Sequence, residues 1–203
     1  MILLPMAKRL FDLLGATLAL LLLAPLLAVV ALAVRLDSRG PVFFRQERVG
    51  RGGGPFRIHK FRTMCVDAPA LGPQVTVGRD ARITRIGHAL RHYRIDELPQ
   101  FIDVLLGHMS LVGPRPEVPR FVAHFPAALK AQVLAVRPGI TDPASLAHID
   151  EAALLVNAVD PEREYIERIL PRKLALQADY AARATLWSDL VVLVRTLRLL
   201  LSR

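Results

Sequence analysis

Apolar positions are unevenly spread along this chain. Residues 13–34 carry no charge, and a helix of that length can cross a bilayer core of ~30 Å. Pro25 lies near the middle of the run, where it removes a backbone hydrogen bond and bends a helix. After Gly40-Pro41 the pattern shortens. Residues 42–46 and 56–64 predict strands, joined by a loop containing Gly50, Gly52, Gly53 and Gly54, which reads as a hairpin turn or a phosphate cradle. In the second strand Lys60 and Arg62 share the face of Phe56 and Ile58, so they require partners: carboxylates of the fold or ligand phosphates. Residues 67–80 predict a loop. Helices are expected at 82–92, from Asp96 onward, at 119–133, from Asp160 through Ile169, at 171–184 and at 187–203. In the helix after Asp96, Leu98, Phe101, Ile102 and Leu105 form the apolar face, Asp96 is the N-cap and Pro99 sits in the first turn. The last helix is amphipathic, with Ser188, Arg195, Arg198 and Ser202 on its polar side, and suits either a membrane interface or the core. Residues 137–141 predict a turn with an exposed cation. The expected class is α+β, mainly helical, with a small β-hairpin.

The flanks of the long apolar run decide how it meets a membrane. Lys8 and Arg9 precede it, and Arg35 and Arg39 follow it. Basic residues stay on the cytoplasmic side, so basic flanks at both ends suit a bent helix that enters and leaves by one face. An ordinary span, or a signal peptide cleaved near Ala31-Leu32-Ala33, are the rivals. The expected division is a re-entrant membrane helix over residues 1–36 and a cytosolic, membrane-surface domain over 37–203. The run also accounts for a hydrophobic content of 53% and a mean hydropathy of +0.36.

The net charge is +9, which calls for an anionic partner: nucleic acid, an anionic membrane or a phosphorylated substrate. Aromatic residues make up only 6% and no nucleic-acid motif is present, so nucleic acid is not the expected partner. A single cysteine, Cys65, excludes an internal disulfide and a multi-cysteine metal site. His88 and His92 have no further ligands at metal spacing and read as surface residues. The chemistry concentrates at Asp96-Glu97. Two carboxylates at a helix start act as a cap and dipole complement, or as a place to handle phosphate. Arg115, framed by Pro114 and Pro116, is a pre-positioned fork for phosphate oxygens, and Arg137, next to Pro138-Gly139, is a second candidate. Arg48, Lys60 and Arg62 serve phosphates or internal carboxylates. Asp12 reads as a lock on Lys8 or Arg9.

Several separated pieces together resemble one family. They are Lys8-Arg9-Leu10-Phe11-Asp12, the Pro-broken apolar helix, Gln46-Glu47-Arg48-Val49-Gly50, Lys60-Phe61-Arg62-Thr63-Met64, Asp96-Glu97-Leu98-Pro99-Gln100, Ser110-Leu111-Val112-Gly113-Pro114-Arg115-Pro116 and Arg137-Pro138-Gly139-Ile140-Thr141. Beyond these only generalities match, such as Ser188-Asp189-Leu190 opening the last helix. In this the chain is similar to the small monotopic phosphoglycosyl transferases, the bacterial sugar transferases that begin lipid-linked glycan assembly. The resemblance implies transfer of a phosphosugar from a UDP-sugar to a polyprenol phosphate such as undecaprenyl phosphate, with release of UMP. It implies Asp96 as the nucleophile of a covalent phosphosugar intermediate, Glu97 as its helper at the metal or the acceptor phosphate, and Mg²⁺ held through Asp96. It also implies placement on the cytoplasmic face of the bacterial inner membrane, against lipid. The competing reading is a non-enzymatic, membrane-tethered module that binds anionic lipid or nucleic acid. Two stretches depart from the family. Ala24-Pro25 stands at the kink where Ser-Pro is frequent, and Asp142-Pro143-Ala144-Ser145-Leu146 replaces a Gly-Trp-Ala-Gln type stretch, so no sugar-specificity residue is carried across. Neither the sugar nor the oligomeric state is encoded in these motifs.

Overall fold

Helix α1 (Leu3–Asp37) runs through Pro25 without ending. The computed structural model that defines it describes residues 3–71, 80–147, 155 and 158–202. At the usual helical rise α1 is about 50 Å long. Leu14, Leu18, Leu21, Leu22, Val29 and Leu32 point away from the protein, and only 11% of the most apolar window is buried. A core helix would be mostly buried, whereas this one leaves most of its apolar surface exposed. Among the described residues it is the one helix long and apolar enough to cross a membrane.

Both ends of α1 nevertheless pack on the same folded body. Near the start, Ala16 is buried with Val104, Met109, Leu111 and Val112. Near the end, Val30 and Val34 are buried with Phe61 and Leu90. Polar ties reinforce the first contact. Lys8 Nζ donates to Asp189 Oδ2 at 2.5 Å and to the Val112 carbonyl at 3.1 Å. Arg9 donates to the carbonyls of Val104 (2.8 Å) and Leu105 (3.2 Å). Asp12 does not lock either cation, contrary to the sequence expectation. Its Oδ1 accepts the Leu111 N–H and the Ser110 hydroxyl, both at 3.0 Å.

Three small ladders follow. Strand β1 (Phe43–Phe44) pairs antiparallel with β4 (Lys60–Phe61), and β2 (Glu47–Val49) with β3 (Pro55–Arg57). The glycine-rich loop is the β2–β3 turn, with Gly52 and Gly53 at φ 70° and 84°, conformations that glycine adopts without steric cost. The expected continuous strand over 56–64 is broken at Ile58-His59. Strand β5 (Ser110–Val112) runs parallel to β6 (Gly139–Thr141), where a turn was expected. A Cβ on Gly139 would lie 2.0 Å from the Gly113 nitrogen, so the close approach of these backbones requires glycine.

The helices α2 (Ala68–Leu71), α3 (Arg85–His92), α4 (Gln100–Leu105), α5 (Pro119–Val122) and α6 (Ala127–Val133) come next. The helix expected over 119–133 is therefore two, separated at Phe125-Pro126. Most of the loop expected over 67–80, residues 72–79, lies outside the described residues. After α7 (Pro143–Ala147), α8 (Pro161–Glu164) starts with Asp160 capping the Arg163 N–H at 3.1 Å. A π-helical turn, Tyr165–Ile169, leads into α9 (Leu170–Arg183). Helix α10 (Leu186–Leu201) begins with a capping box between Thr185 and Ser188. It buries Asp189 and Val192, while Trp187, Leu190, Val194, Leu197 and Leu201 are exposed at roughly heptad spacing. One main core joins α5, α6 and α9, and another joins α1, β3, α4, β5 and α10.

Candidate active site

The two acidic residues sit in a tight turn, not at the start of α4. After α3 the chain turns at Arg94, the one described non-glycine residue with positive φ (55°). This left-handed conformation costs a non-glycine residue about 1 kcal/mol or more. It throws Ile95–Glu97 into one turn of 3-10 helix. Asp96 therefore caps no helix, and α4 starts after Pro99 without a side-chain cap. The buried face of α4 is also not the expected one. It carries Gln100, Asp103 and Val104, while Leu105 lies exposed near the tip.

Glu97 is saturated. Arg115 holds both its carboxylate oxygens, with Nη2 on Oε1 and Nη1 on Oε2 (3.1 Å). Lys60 Nζ adds a bond to Oε1 at 2.7 Å. Burial alone would raise the pKa of Glu97, but Arg115 and then Lys60 outweigh it and hold the group well below the usual carboxylate range. Asp96 is the opposite case. Among the described residues nothing donates a hydrogen bond to its carboxylate, although Lys60, Arg91 and Arg115 act on it from nearby. Burial, then the neighbouring Glu97 charge, push it up to about 6. Environments that drive two neighbouring carboxylates apart commonly mark different chemical roles. Lys60 answers the question its strand pattern posed: its partner is Glu97. Burial lowers its pKa and Glu97 opposes that.

Surrounding residues hold these groups in place. Asp103, fully buried, accepts the His59 backbone N–H at 2.7 Å and contacts His59 Nδ1 at 2.7 Å, next to Lys60. Arg91 donates Nε–H to Thr63 Oγ1 at 2.8 Å and lies within electrostatic reach of Asp96. Arg48 donates to Pro116 O (2.9 Å) and Gln46 Oε1 (2.8 Å), with Glu117 Oε2 at 3.8 Å. Its buried Nε has no acceptor among the described residues. Glu117 also takes the Tyr165 hydroxyl (2.6 Å) and Lys173 Nζ (3.2 Å) in a buried cluster. Lys173 and Arg48 overcome the burial that would raise the Glu117 pKa, and the group is lowered.

Asp96, Glu97, Lys60 and Arg115 thus come together, with Arg48 one step away. Two predicted phosphate ligands do not join them. Arg62 is buried against the C-terminal end of α1, donating to the carbonyls of Val34 (3.3 Å), Ser38 (2.7 Å) and Arg39 (2.5 Å). A cation is favoured where helical carbonyls have no partners, and Arg62 is spent there. Arg137 is half-buried, donates Nε–H to Gly107 O at 3.0 Å, and has Arg9 and Arg51 as its strongest charged neighbours. Its pKa is lowered by burial and then by those two arginines. Ala24 and Pro25 lie in the apolar part of α1. Sequence reasoning missed Arg91, Asp103, His59 and Glu117 as supports. Only Glu117, following Pro114-Arg115-Pro116 directly, carried a local signal.

Among the described residues no three His, Cys, Asp or Glu side chains gather as a metal cage. Mg²⁺ needs no such cage, since it keeps several waters and shares substrate phosphates with one or two carboxylates. The open Asp96 carboxylate fits that use. The oxygens of Glu97 are already occupied by cations.

Comparison with known proteins places this geometry. Residues 4–203 match the family described as bacterial sugar transferase. A UDP-N-acetylgalactosamine-undecaprenyl-phosphate N-acetylgalactosaminephosphotransferase of Aeromonas hydrophila is 38% identical over 197 residues, covering 96% of this chain and 44% of that protein. A UDP-glucose:undecaprenyl-phosphate glucose-1-phosphate transferase of Caulobacter vibrioides is 40% identical over 200 residues, covering 96% of this chain and 70% of that protein. An enzyme of the same description from Escherichia coli is 36% identical over 191 residues, 93% of this chain and 39% of that protein. The chain therefore spans less than half the length of two of these relatives.

Proposed function

The chain belongs to the bacterial sugar transferase family, and from that premise we propose that it transfers a phosphosugar from a UDP-sugar to undecaprenyl phosphate and releases UMP. The observation that carries the assignment of roles is the contrast between the open Asp96 carboxylate and the saturated Glu97. An Asp96 oxygen attacks the sugar-bearing phosphorus of the donor. The bond from phosphorus to the bridging oxygen of UMP breaks, and UMP leaves with the electron pair. A phosphate oxygen of the polyprenol then attacks the same phosphorus, and Asp96 leaves as carboxylate. A carboxylate nucleophile splits one difficult transfer into two easier ones. With a pKa near 6 it is mostly ionised at neutral pH.

Phosphoryl transfer depends on alignment and charge neutralisation. Glu97 holds Lys60 and Arg115 beside the nucleophile, leaving each cation donors for phosphate oxygens. Asp96 would hold Mg²⁺, which would supply additional charge neutralisation. The names of the relatives carry either N-acetylgalactosamine or glucose, so the donor class is a UDP-hexose or UDP-N-acetylhexosamine.

We further propose that α1 is a re-entrant anchor on the cytoplasmic face of the membrane. The packing of both its ends on one body supports this, because a straight span would carry one end away. The exposed apolar stripe of α10 lies in the interface on this reading. The test is protein reconstituted with undecaprenyl phosphate and Mg²⁺ and offered a panel of UDP-sugars, with UMP as the readout. UMP release with at least one sugar, lost in Asp96→Asn, is expected. Release that persists in Asp96→Asn would remove Asp96 from the mechanism.

A further inference from the structure

The segment Pro114-Arg115-Pro116 has one backbone donor, because proline has no N–H. That donor is the Arg115 amide, and it goes to Asp142 Oδ2 at 3.1 Å. Asp142 is completely buried and lies in the stretch where the sequence departs from the family. Its oxygens gather two more donors: Gln177 Nε2 from α9 reaches Oδ2 at 2.7 Å, and the Ser145 N–H at the start of α7 reaches Oδ1 at 2.5 Å. One carboxylate thereby fastens the Arg115 backbone to two helices. On its other side the Arg115 side chain holds both oxygens of Glu97, with Ile140 O at 3.5 Å as a further acceptor.

We propose that Asp142 is the positioning residue for Arg115: it fixes the backbone from which the guanidinium reaches Glu97 and substrate phosphate. A buried carboxylate that accepts three hydrogen bonds is a rigid anchor, and amide hydrogen bonds to a charged acceptor are stronger than neutral ones. Without it the Arg115 N–H is a buried donor between two residues that cannot replace it, and the fork loses its fixed base. Asparagine is not equivalent. Its one oxygen, standing where Oδ2 stands, still accepts from Arg115 and Gln177, while its NH₂ faces the Ser145 N–H. The kinetic part of this inference rests on the phosphosugar-transfer reading; the backbone part does not.

The experiment compares wild-type full-length protein with Asp142→Asn and Asp142→Ser. Serine retains a good helix cap for Ser145 but is too short to hold Arg115. Residue-resolved hydrogen exchange isolates the Arg115 amide, since both neighbours lack one. Exchange there should quicken about tenfold or more in Asp142→Ser and stay nearer wild type in Asp142→Asn, whose oxygen still accepts from Arg115, while the Leu111 amide, bonded to Asp12, keeps its wild-type rate. Unchanged exchange at Arg115 in Asp142→Ser with Leu111 still protected overturns the proposal. In the UMP assay Asp142→Ser should lower kcat about tenfold in the wild-type background and cause no further loss when added to Arg115→Ala. Additive losses mean that Asp142 acts on stability alone, which also overturns it. Wild-type protein that releases no UMP with any sugar refutes the proposed reaction, and the exchange measurement still decides the role of Asp142.

Discussion

Asp96 and Glu97 are adjacent in the chain and opposite in proton affinity: Asp96 is open and pushed up to about 6, and Glu97 is clasped by Arg115 and Lys60 and held low. The difference arises within one turn of 3-10 helix. It leaves Glu97 holding cations and Asp96 open, which is the division of roles proposed above.

Asp96→Asn should therefore abolish UMP release and stabilise the fold. Burial and Glu97 both penalise the Asp96 charge, and a raised carboxylate pKa means that the folded state binds its proton more tightly than the unfolded state. The penalty is present above pH 6 and disappears as pH falls below the unfolded value near 4. At pH 7.5 the gain from Asp96→Asn should be about 1–2 kcal/mol, read as a higher melting midpoint that converges on wild type near pH 4. A lower midpoint at pH 7.5 would contradict the electrostatic account.

Arg115→Lys keeps the charge and loses the two-pronged grip on Glu97. We expect kcat/KM for UMP release to fall about tenfold to a hundredfold. Activity within twofold of wild type would show that the fork geometry is dispensable.

Glu117 governs acid stability on the other side of Arg48. Its pKa is depressed by Lys173 and Arg48, so its contribution is present above the unfolded value near 4.5 and is lost as pH falls through the depressed one. Glu117→Gln removes the carboxylate charge that both Lys173 and Arg48 face, and should cost about 3 kcal/mol at pH 7. Urea midpoints between pH 3 and 7 should show this gap closing toward acid; a constant gap would argue against it.

Lys8→Met strips Asp189 of its cation and leaves it buried with the Tyr180 hydroxyl at 2.5 Å. A loss of about 3 kcal/mol is expected, measured as thermal stability in detergent. No change in melting would mean that the pair contributes nothing.

A cysteine introduced at position 3, with Cys65 replaced, should react with membrane-impermeant reagent from the cytoplasmic side. Labelling from the opposite side would rule out a re-entrant anchor.

Several features were legible in the sequence because they are local. The long uncharged run and the helix opening at Asp160 depend on neighbours within a few residues. Lys60 was legible in a weaker sense, because a cation on the apolar face of a strand demands a partner. Other features depend on pairings across the chain. Whether Arg62 meets a phosphate or the end of α1 is decided by where Ser38 and Arg39 arrive, which no local pattern reports. The same holds for Asp142, which is a loop acid until Gln177 is brought against it. Asp96 was misjudged as a cap because the left-handed Arg94 diverts the chain before the helix begins.

The clasp between Lys8 and Asp189 joins positions 181 residues apart, and this sets an order of events during synthesis. The first helix emerges with its leucines bare, and its basic end has to wait for α10 before it can fasten. Until then the protein offers α1 no complete surface to bury against. On the proposed anchor reading, insertion precedes docking, and a chain that stops short of Asp189 holds a membrane helix whose latch is still unmade.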